Sequence, residues 1–489
     1  MLFNSYVFIF LFLPLALAGY YILNYLKKYK IAGVFLTGMS LWFYGYFNKS
    51  YLFIICVSII ANYLLSVLMG RGGVLAGKRI RKTILILGIF FNIAVIFYFK
   101  YFDFFIENIN NIFERTFELK NIALPLGISF FTFQQVSYII DSYRGETKNY
   151  TFGEYALFVS FFPQLVAGPI VLHNEVIPQF RNNKKRFFIP RNFSKGIYIF
   201  SVGLFKKVII ADTFGVAVTY GFGTIPALSS LEALLVSFSY TFQLYFDFSG
   251  YCDMASGIGY MFNIILPQNF NSPYKATSIT DFWGRWHMSL TKFLRTYIYI
   301  PLGGNRKGNT RTYINIMAVY LVSGIWHGAN WTFILWGVLH GFFNCLDRFF
   351  KSQWGKLGKV TQWFITFMLV DMLWVLFRAE DIPSAKLFIK EMCSLSSFTI
   401  NGDLYNCFNL AELSYLEEKI PFLNYLASHI TGLNLWLFIF GSFFVVLNTK
   451  NSKEKEFKPT VLNSLAVVVF LVWSVVSFSG ISTFLYFDF

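Results

Sequence analysis

Apolar stretches of about 20 residues recur along most of the chain, and they restrict its possible folds more than any other feature. A helix of this length crosses the hydrocarbon of a bilayer and bonds its backbone polar groups within its own segment. We place such stretches at 6–26, 31–48, 51–69, 83–105, 122–140, 154–172, 196–222, 229–262, 312–328, 331–350, 360–377, 433–448 and 461–487. The sequence therefore predicts an all-α polytopic membrane protein that forms a single membrane domain over residues 1–489.

The composition excludes a soluble enzyme and a disordered chain. Hydrophobic residues make up 56% and aromatic residues 21% of the 489 positions, whereas charged residues make up 13%. A soluble domain is about a quarter charged and has no interior that could bury so much apolar surface. The net charge of +16 fits basic cytoplasmic loops that face anionic lipid, so we expect membrane lipid and no nucleic acid among the partners. The five cysteines form no CxxC pair, which predicts neither a disulfide framework nor a metal site.

The loop charges predict the orientation of the chain in a cell membrane. Segments 27–30, 70–82, 181–195 and 285–311 are basic and are placed in the cytoplasm, whereas the acidic loop 380–420 is placed outside. A signal peptide begins with Lys or Arg before its apolar stretch, and here no Lys or Arg precedes the first apolar stretch. We therefore expect the first helix to be retained, with its N-terminus outside the cytoplasm.

The alternation of sides fails around two of the predicted spans. If 122–140 and 154–172 both crossed the membrane, the basic segment 181–195 would lie outside the cytoplasm, against its charge. At least one of the two is therefore expected to be re-entrant, with backbone breaks at Pro125, Pro163, Gly168 and Pro169. Irregular backbone at membrane depth is tolerated where protein buries it or where it lines a wet cavity. The long stretch 229–262 is expected to bend at Gly250 or Gly257.

His327 is the main candidate for catalysis. A helix that begins near Thr312 places this imidazole roughly 22 Å along its axis, deep in an apolar span. A neutral imidazole takes up and returns a proton near pH 7, which suits a general base. Gly324 and Gly328 would let a ligand approach closely. The alternative is a structural histidine that is hydrogen-bonded to a helix carbonyl or a neighbouring side chain.

His287 is the second candidate, and it follows a short amphipathic segment. Ser278 precedes this segment as a helix cap, and Asp281 and Arg285 are spaced to pair on one helix face. The alternative is a surface helix anchored at the interface by Trp286 and its neighbours. His340 is a weaker candidate. His173 and His429 lie near loops and are expected to face solvent.

Other polar residues in or near apolar segments are candidates for support or for phosphate binding. Asp247 and Asp253 must pair, take up protons or line water, and we expect a structural pair, for example with Arg295, or the orientation of a histidine. Asp371 is similar. The glycine-rich turn 301–308 could hold a phosphate through its backbone N–H groups and two cations.

At these residues the chain resembles the membrane-bound O-acyltransferase family, in its bacterial branch of alginate O-acetylase and related polysaccharide O-acetylases. The two blocks that carry the resemblance are 267–311 and 321–341, which contain His287 and His327. Shorter similarities lie at 162–170, 245–251 and 484–487, so the resemblance covers essentially the whole chain. Gly284 and Thr296 depart from residues that relatives usually show there, which affects one helix and not the histidines.

The resemblance implies a ring of about 11–13 transmembrane helices, with re-entrant or short helices, around a central funnel or tunnel. It implies a cytoplasmic acyl donor, an extracytoplasmic acceptor, His327 as the near-invariant histidine and His287 as the second polar position. Relatives often pass the acetyl group to a serine of a separate protein. We therefore expect an extracytoplasmic esterase-like (SGNH-type) partner and the machinery of polysaccharide synthesis as associates.

The residues and the resemblance together predict an O-acetyltransferase that acetylates an extracytoplasmic polysaccharide with acetyl-CoA as donor and no permanently bound cofactor. His327 would be the general base, and His287 would orient the donor or stabilise the oxyanion. We expect substrate contacts from Arg285, Trp286, Arg295, Asn305, Arg306, Lys307, Trp326, Asn330 and His340, with support from Asp247, Asp253 and Asp281. The alternatives are D-alanyl or acyl transfer to teichoic acid or peptidoglycan, a polymer or lipid transporter, and a catalytically silent scaffold.

Overall fold

The computed structural model describes residues 1–70, 77–147, 149–395, 397–451, 458–478 and 484–485. Within these ranges the chain forms helices joined by loops and no β-strand. Residues 71–76 of the basic loop 70–82 and residues 486–487 of the C-terminal motif lie outside the described residues.

The chain folds into two compact units that interleave in sequence. One comprises Met1–Leu204, Tyr251–Gln268 and Phe457–Phe489, and the other comprises Phe205–Gly250 and Asn269–Glu456. The assignment of residues 1–489 to a single membrane domain stays a prediction.

The helices of the first unit gather around buried aromatic side chains that include Phe8, Phe12 and Phe43, whose rings lie within 6 Å of one another. Their bounds are Phe8–Phe12 (a π-helical turn), Leu13–Tyr25, Tyr29–Gly45, Lys49–Gly70, Lys78–Ile96, Phe97–Tyr101 (π), Phe102–Phe113, Ile128–Arg144, Phe152–Ser160, Phe162–Leu165, His173–Arg181, Asn183–Lys185 (3-10), Pro190–Phe205 and Val461–Val476.

The helices of the second unit enclose three fully buried tryptophans, Trp286, Trp336 and Trp374. Their bounds are Lys206–Ala211 (π), Asp212–Gly223, Ile225–Ala227 (3-10), Ser230–Met261, Pro273–Lys275 (3-10), Ile279–Arg285, Met288–Leu294, Arg295–Tyr299 (π), Gly308–His327, Trp331–Phe349, Lys351–Trp354, Lys359–Arg378, Ile382–Cys393, Gly402–Asn406, Ala411–Lys419, Pro421–His429 and Leu433–Asn448. The long helix Ser230–Met261 continues from this unit into the first.

The helices confirm an all-α polytopic membrane protein. Four of them are long and apolar enough to cross a bilayer, at Phe8–Tyr25, Lys49–Met69, Lys78–Phe113 and Lys359–Arg378. A fifth span results if Pro421–His429 and Leu433–Asn448, which meet at 98°, form one broken crossing. Every predicted apolar span except 154–172 coincides wholly or partly with one continuous run of helix.

The segment 154–172 is divided where the prolines and glycines predicted a break. It forms the short helices Phe152–Ser160 and Phe162–Leu165 and then irregular backbone as far as Leu172. A helix of nine residues is about 14 Å long, so this segment does not cross as one helix. The irregular part is buried in protein, as the absence of water in a bilayer requires.

The long stretch 229–262 forms one continuous helix, and the expected bend within it stays a prediction. Helix Ser230–Met261 runs without a break through Gly250 and Gly257. A Cβ atom added at Gly257 would lie 2.6 Å from the backbone nitrogen of Phe200, so this glycine provides a close approach between two helices.

Candidate functional site

His327 is the last residue of helix Gly308–His327, and its side chain is 4% exposed. Three aromatic rings surround the imidazole, with ring centroids 4.8 Å away for Trp326, 5.1 Å for Trp336 and 5.2 Å for Phe377. All three meet the imidazole edge to face. The histidine is therefore fixed in an apolar wall of rigid side chains, where an attached proton or charge is poorly screened.

Two glycines on neighbouring helices position His327 through a backbone contact. A Cβ atom at Gly337 would lie 2.5 Å from the carbonyl oxygen of Tyr320, and one at Gly324 would lie 2.5 Å from the carbonyl oxygen of Phe333. Small residues let membrane helices approach closely, and here they join Gly308–His327 to Trp331–Phe349. The space beside Gly324 is thus filled by a helix, which corrects the expectation that a ligand approaches there.

His287 has an unusual backbone conformation. It caps helix Met288–Leu294 in the left-handed region, with φ 44° and ψ 51°, and its side chain is fully buried. Asn269 holds this turn, since its carbonyl oxygen accepts from the Met288 N–H at 2.9 Å and its side chain accepts from the Ser289 N–H at 3.2 Å. The block 268–274 therefore fixes the second histidine.

Trp326 connects the two histidines. Its ring centroid lies 4.8 Å from that of His327 and 6.0 Å from that of His287. The ring of Phe248, on helix Ser230–Met261, covers another side of His287 at 4.8 Å. The structure thus brings the two blocks of the sequence together around one indole.

His340 packs against Trp336. Its ring centroid is 4.7 Å from that of Trp336, and its Nδ1 accepts a hydrogen bond from Trp283 Nε1 at 3.2 Å. Trp286 is also buried, 5.0 Å from Trp374 between ring centroids. Trp283 and Trp286 are therefore buried core residues and not the interfacial anchors of the alternative interpretation.

Three of the candidate carboxylates have identified partners. Asp281 accepts from Arg285 Nε at 2.7 Å, which confirms the predicted pairing along one helix face. Asp247 pairs with Lys207 at 2.7 Å and not with Arg295. Asp371 accepts hydrogen bonds of 2.6 Å from Ser237 and Thr241 and is fully buried. Asp253 belongs to the first unit and is half-buried.

The remaining predicted contacts are more exposed than the histidines. Asn305, Arg306 and Lys307 are exposed in the turn 301–307, whose Gly303 and Gly304 have positive φ angles, and Arg295 is also exposed. Asn330 caps helix Trp331–Phe349 and donates to the carbonyl oxygen of Glu380 at 2.7 Å. Roles in substrate binding stay predictions for these residues.

One expectation about histidines is wrong. His173 is 1% exposed, and its Nε2 lies 3.1 Å from Asp141 Oδ2 while its Nδ1 lies 3.3 Å from the Tyr150 hydroxyl. The fold buries this residue because helix His173–Arg181 begins beside the inner face of Ile128–Arg144. His429 is exposed as expected.

Some residues that hold the histidines in place are not predicted from the sequence. Lys207 follows Lys206 inside the predicted span 196–222, where a lysine is a visible signal of a buried ion pair. Asn269, Trp283 and Trp336 carry no such signal, because their partners are distant in sequence. Among the described residues, no group of three or more His, Cys, Asp or Glu side chains could hold a metal ion.

The family model of the membrane-bound O-acyltransferase family matches residues 82–374, a range that contains all three histidines of the site. This chain belongs to the membrane-bound O-acyltransferase family. It is a multi-pass membrane protein and an acyltransferase.

Three relatives show where this O-acyltransferase stands in the family. A peptidoglycan O-acetyltransferase of Helicobacter pylori is 44% identical over 430 residues, which cover 82% of this chain and 81% of the relative. A probable alginate O-acetylase of Pseudomonas aeruginosa is 38% identical over 439 residues, which cover 88% and 82%. A teichoic acid D-alanyltransferase of Streptococcus thermophilus is 31% identical over 236 residues, which cover 44% and 55%.

Proposed function

We propose that this membrane O-acetyltransferase moves an acetyl group from cytoplasmic acetyl-CoA to a hydroxyl of an extracytoplasmic cell-surface polysaccharide, with His327 as general base. The observation that carries the proposal is the placement of His327. It ends a helix inside a wall of aromatic rings, and Trp326 joins it to a second buried histidine, His287.

The proposed reaction uses one proton acceptor. The hydroxyl oxygen attacks the acetyl carbonyl carbon while His327 takes the hydroxyl proton. The tetrahedral intermediate then collapses, the C–S bond breaks, and the CoA thiolate takes up the proton from His327. His287 orients the donor or donates to the oxyanion.

The donor is expected to dock near the basic segment 285–311, which the charge pattern places in the cytoplasm. Arg295, Arg306 and Lys307 in this segment are exposed, so they are accessible to the phosphates of acetyl-CoA. The cell membrane as location and an extracytoplasmic N-terminus are parts of the same proposal.

Peptidoglycan is the acceptor that we favour among the polysaccharides. The relative named a peptidoglycan O-acetyltransferase is 44% identical, compared with 38% for the alginate O-acetylase. Teichoic acid D-alanylation is less favoured, because the similarity to that relative covers 44% of this chain.

A separate extracytoplasmic protein is proposed to complete the transfer. An esterase-like protein of the SGNH type would accept the acetyl group on its serine hydroxyl and pass it to the polymer. Polysaccharide synthesis enzymes would act beside it.

The proposal is tested by measuring ester-linked acetate in cell-wall fractions. Cells that lack the gene receive the wild-type chain, His327→Ala or Trp363→Phe, and mild base releases acetate from purified peptidoglycan and exopolysaccharide. Trp363 is the control, because its indole donates to the carbonyl oxygen of Tyr274 and it contacts none of the three histidines. We expect wild type and control to restore acetate on peptidoglycan and His327→Ala to leave background levels.

Two other outcomes bear on separate parts of the proposal. Normal acetate in the His327→Ala strain, at equal protein abundance, would contradict the role of His327. Acetate restored on exopolysaccharide alone would contradict peptidoglycan as the acceptor.

A further inference from the structure

Two buried N–H groups, one on the ring that contacts His327 and one on the ring next to it, lack a hydrogen-bond acceptor within the part of the chain that the structure describes. They are Nε1 of Trp336 and Nε2 of His340, and both side chains are 0% exposed. The two rings are neighbours, with centroids 4.7 Å apart. Buried donors without an acceptor are rare in native proteins because each loses its hydrogen bonds to water.

The hydrogen bond from Trp283 determines which nitrogen of His340 carries the proton. An indole N–H donates and never accepts. Trp283 Nε1 lies 3.2 Å from His340 Nδ1, so Nδ1 is the acceptor. In the neutral imidazole the proton is then on Nε2, which makes His340 Nε2 a donor.

Both donors lie on one face of one helix, and the ring of one of them, Trp336, is next to the proposed base. Trp336 and His340 are four residues apart on helix Trp331–Phe349, a spacing that places side chains side by side. The Trp336 ring lies 5.1 Å from that of His327. Trp374 stacks on Trp336 at 5.8 Å, and the glycine contact at Gly337 fixes the helix.

We propose that Trp336 Nε1–H and His340 Nε2–H together bind the carbonyl oxygen of the acyl donor, with Trp283 as the positioning residue that sets the tautomer of His340. The inference rests on the proposed function. As the hydroxyl oxygen bonds to the carbonyl carbon, the carbonyl π electrons move to the oxygen, and these donors stabilise the resulting charge. When the C–S bond breaks, the oxygen electrons re-form the C=O π bond and the negative charge leaves on the CoA thiolate.

The three histidines then have different roles. His327 moves the proton, and His340 with Trp336 holds the oxyanion. His287 contacts Trp326 and not Trp336, so it is left to orient the donor.

Kinetics of paired variants test the assignment. Trp336→Phe removes one N–H and retains a smaller aromatic ring, so we expect kcat to fall about 100-fold with the KM for acetyl-CoA nearly unchanged. The amide of His340→Gln reaches the place of Nε2 and should retain more activity than His340→Asn, whose amide reaches the place of Nδ1. We expect the Asn variant to lose about 100-fold and the Gln variant about 10-fold. Trp363→Phe serves as the matched control for a lost indole N–H.

A spectroscopic measurement separates binding from turnover. Acetyl-CoA labelled with ¹³C at the carbonyl is bound to His327→Ala, and its infrared carbonyl band is compared with the band in buffer. We expect a shift to lower frequency that the double variant His327→Ala/Trp336→Phe reduces. An identical band in the two variants would overturn the inference.

The two proposals fail in distinguishable ways. An active wild type whose kcat is unchanged by Trp336→Phe and equal in His340→Gln and His340→Asn would overturn the oxyanion assignment alone. A wild type that neither binds nor cleaves acetyl-CoA would overturn the proposed function and this inference with it.

Discussion

At the scale of single residues, the backbone of His287 indicates a local constraint. His287 is one of eight described non-glycine residues with a positive φ angle; histidine adopts this region more often than most residues, and backbone strain concentrates at functional sites. Here the surrounding structure enforces it, because Asn269 fixes the two backbone groups that follow. This backbone strain occurs at the position where the imidazole is proposed to contact the acyl donor.

Substitutions at His287 separate this strain from chemistry. His287→Asn should keep the fold, because asparagine tolerates the left-handed region. We expect kcat to fall at least 10-fold, because the imidazole is lost. His287→Val should in addition lower stability by about 1–3 kcal/mol, since a β-branched residue is disfavoured there. Thermal unfolding in detergent and acetyl transfer measure the two effects. Wild-type activity in His287→Asn would contradict a role for this ring.

The sequence reveals some of these residues and hides others for a physical reason. His327 and His287 are visible because an ionisable group in an apolar context is costly to keep. Trp336 and Trp283 are not visible, because tryptophan is common in such a chain and its role depends on a partner many positions away. The burial of His173 by Asp141 and Tyr150 likewise depends on tertiary contacts.

At the scale of elements, the site depends on the close contact between helices Gly308–His327 and Trp331–Phe349. Their backbones touch at Gly324 and Gly337, and this places the end of the first helix, His327, beside Trp336. A shift of either helix would separate the proposed base from the proposed carbonyl donors.

Alanine at a glycine tests this contact. Gly337→Ala places a methyl group 2.5 Å from the Tyr320 carbonyl oxygen, and we expect a loss of about 1–3 kcal/mol in stability together with reduced activity. Gly284→Ala is the matched control, because a Cβ atom there meets nothing within 4 Å and the change should be neutral or slightly stabilising. Equal melting temperatures for the two variants would refute the glycine contact.

A buried ion pair joins two further elements of the second unit. Lys207, in the π-helical turn Lys206–Ala211, pairs with Asp247 on helix Ser230–Met261, and both side chains are 3% exposed. The residue after Asp247 is Phe248, whose ring packs on His287. The pair therefore fixes the helix that supports the second histidine.

Breaking this pair should be costly, because it leaves a buried charge. We expect Lys207→Met to lower stability by about 3–5 kcal/mol, and Lys207→Met/Asp247→Leu to recover part of that loss. Chemical unfolding of the single and double variants gives the coupling between the two sites. A double variant no more stable than Lys207→Met would show that the pair does not join the elements.

Apolar periodicity predicts the helices well but not how they end or break. Most predicted spans coincide with helix, since about 20 apolar residues have few other options in a bilayer. The breaks at Phe161 and after Leu165 agree with the proline and glycine signals, whereas the unbroken helix through Gly250 and Gly257 shows that glycine also serves close packing.

At the scale of the whole molecule, the charge pattern makes a testable statement about orientation. In a variant whose five cysteines are replaced, single cysteines are introduced at Lys184 and at Glu417, which lie in a basic and an acidic loop. We expect a membrane-impermeant maleimide to label position 417 in intact spheroplasts and position 184 only after permeabilisation. The reverse pattern would overturn the proposed topology and the cytoplasmic side for acetyl-CoA.

Fold class and reaction class were accessible from the sequence, whereas the acceptor was not. The apolar spans indicate a polytopic helical protein, and the blocks around His287 and His327 carry the family resemblance that the match over 82–374 confirms. The acceptor depends on the shape of a site lined by aromatic side chains, and residue types alone do not encode which hydroxyl enters it.

The central claim is that one imidazole at position 327 transfers the proton in acetyl transfer. The most direct measurement is CoA release from acetyl-CoA by the purified protein in liposomes supplied with a soluble peptidoglycan fragment as hydroxyl acceptor, for wild type, His327→Ala and the control Trp363→Phe. We expect His327→Ala to bind acetyl-CoA, unfold at the wild-type temperature and release CoA at least 100-fold more slowly, with the control unaffected. Wild-type CoA release by a folded His327→Ala protein would contradict the account.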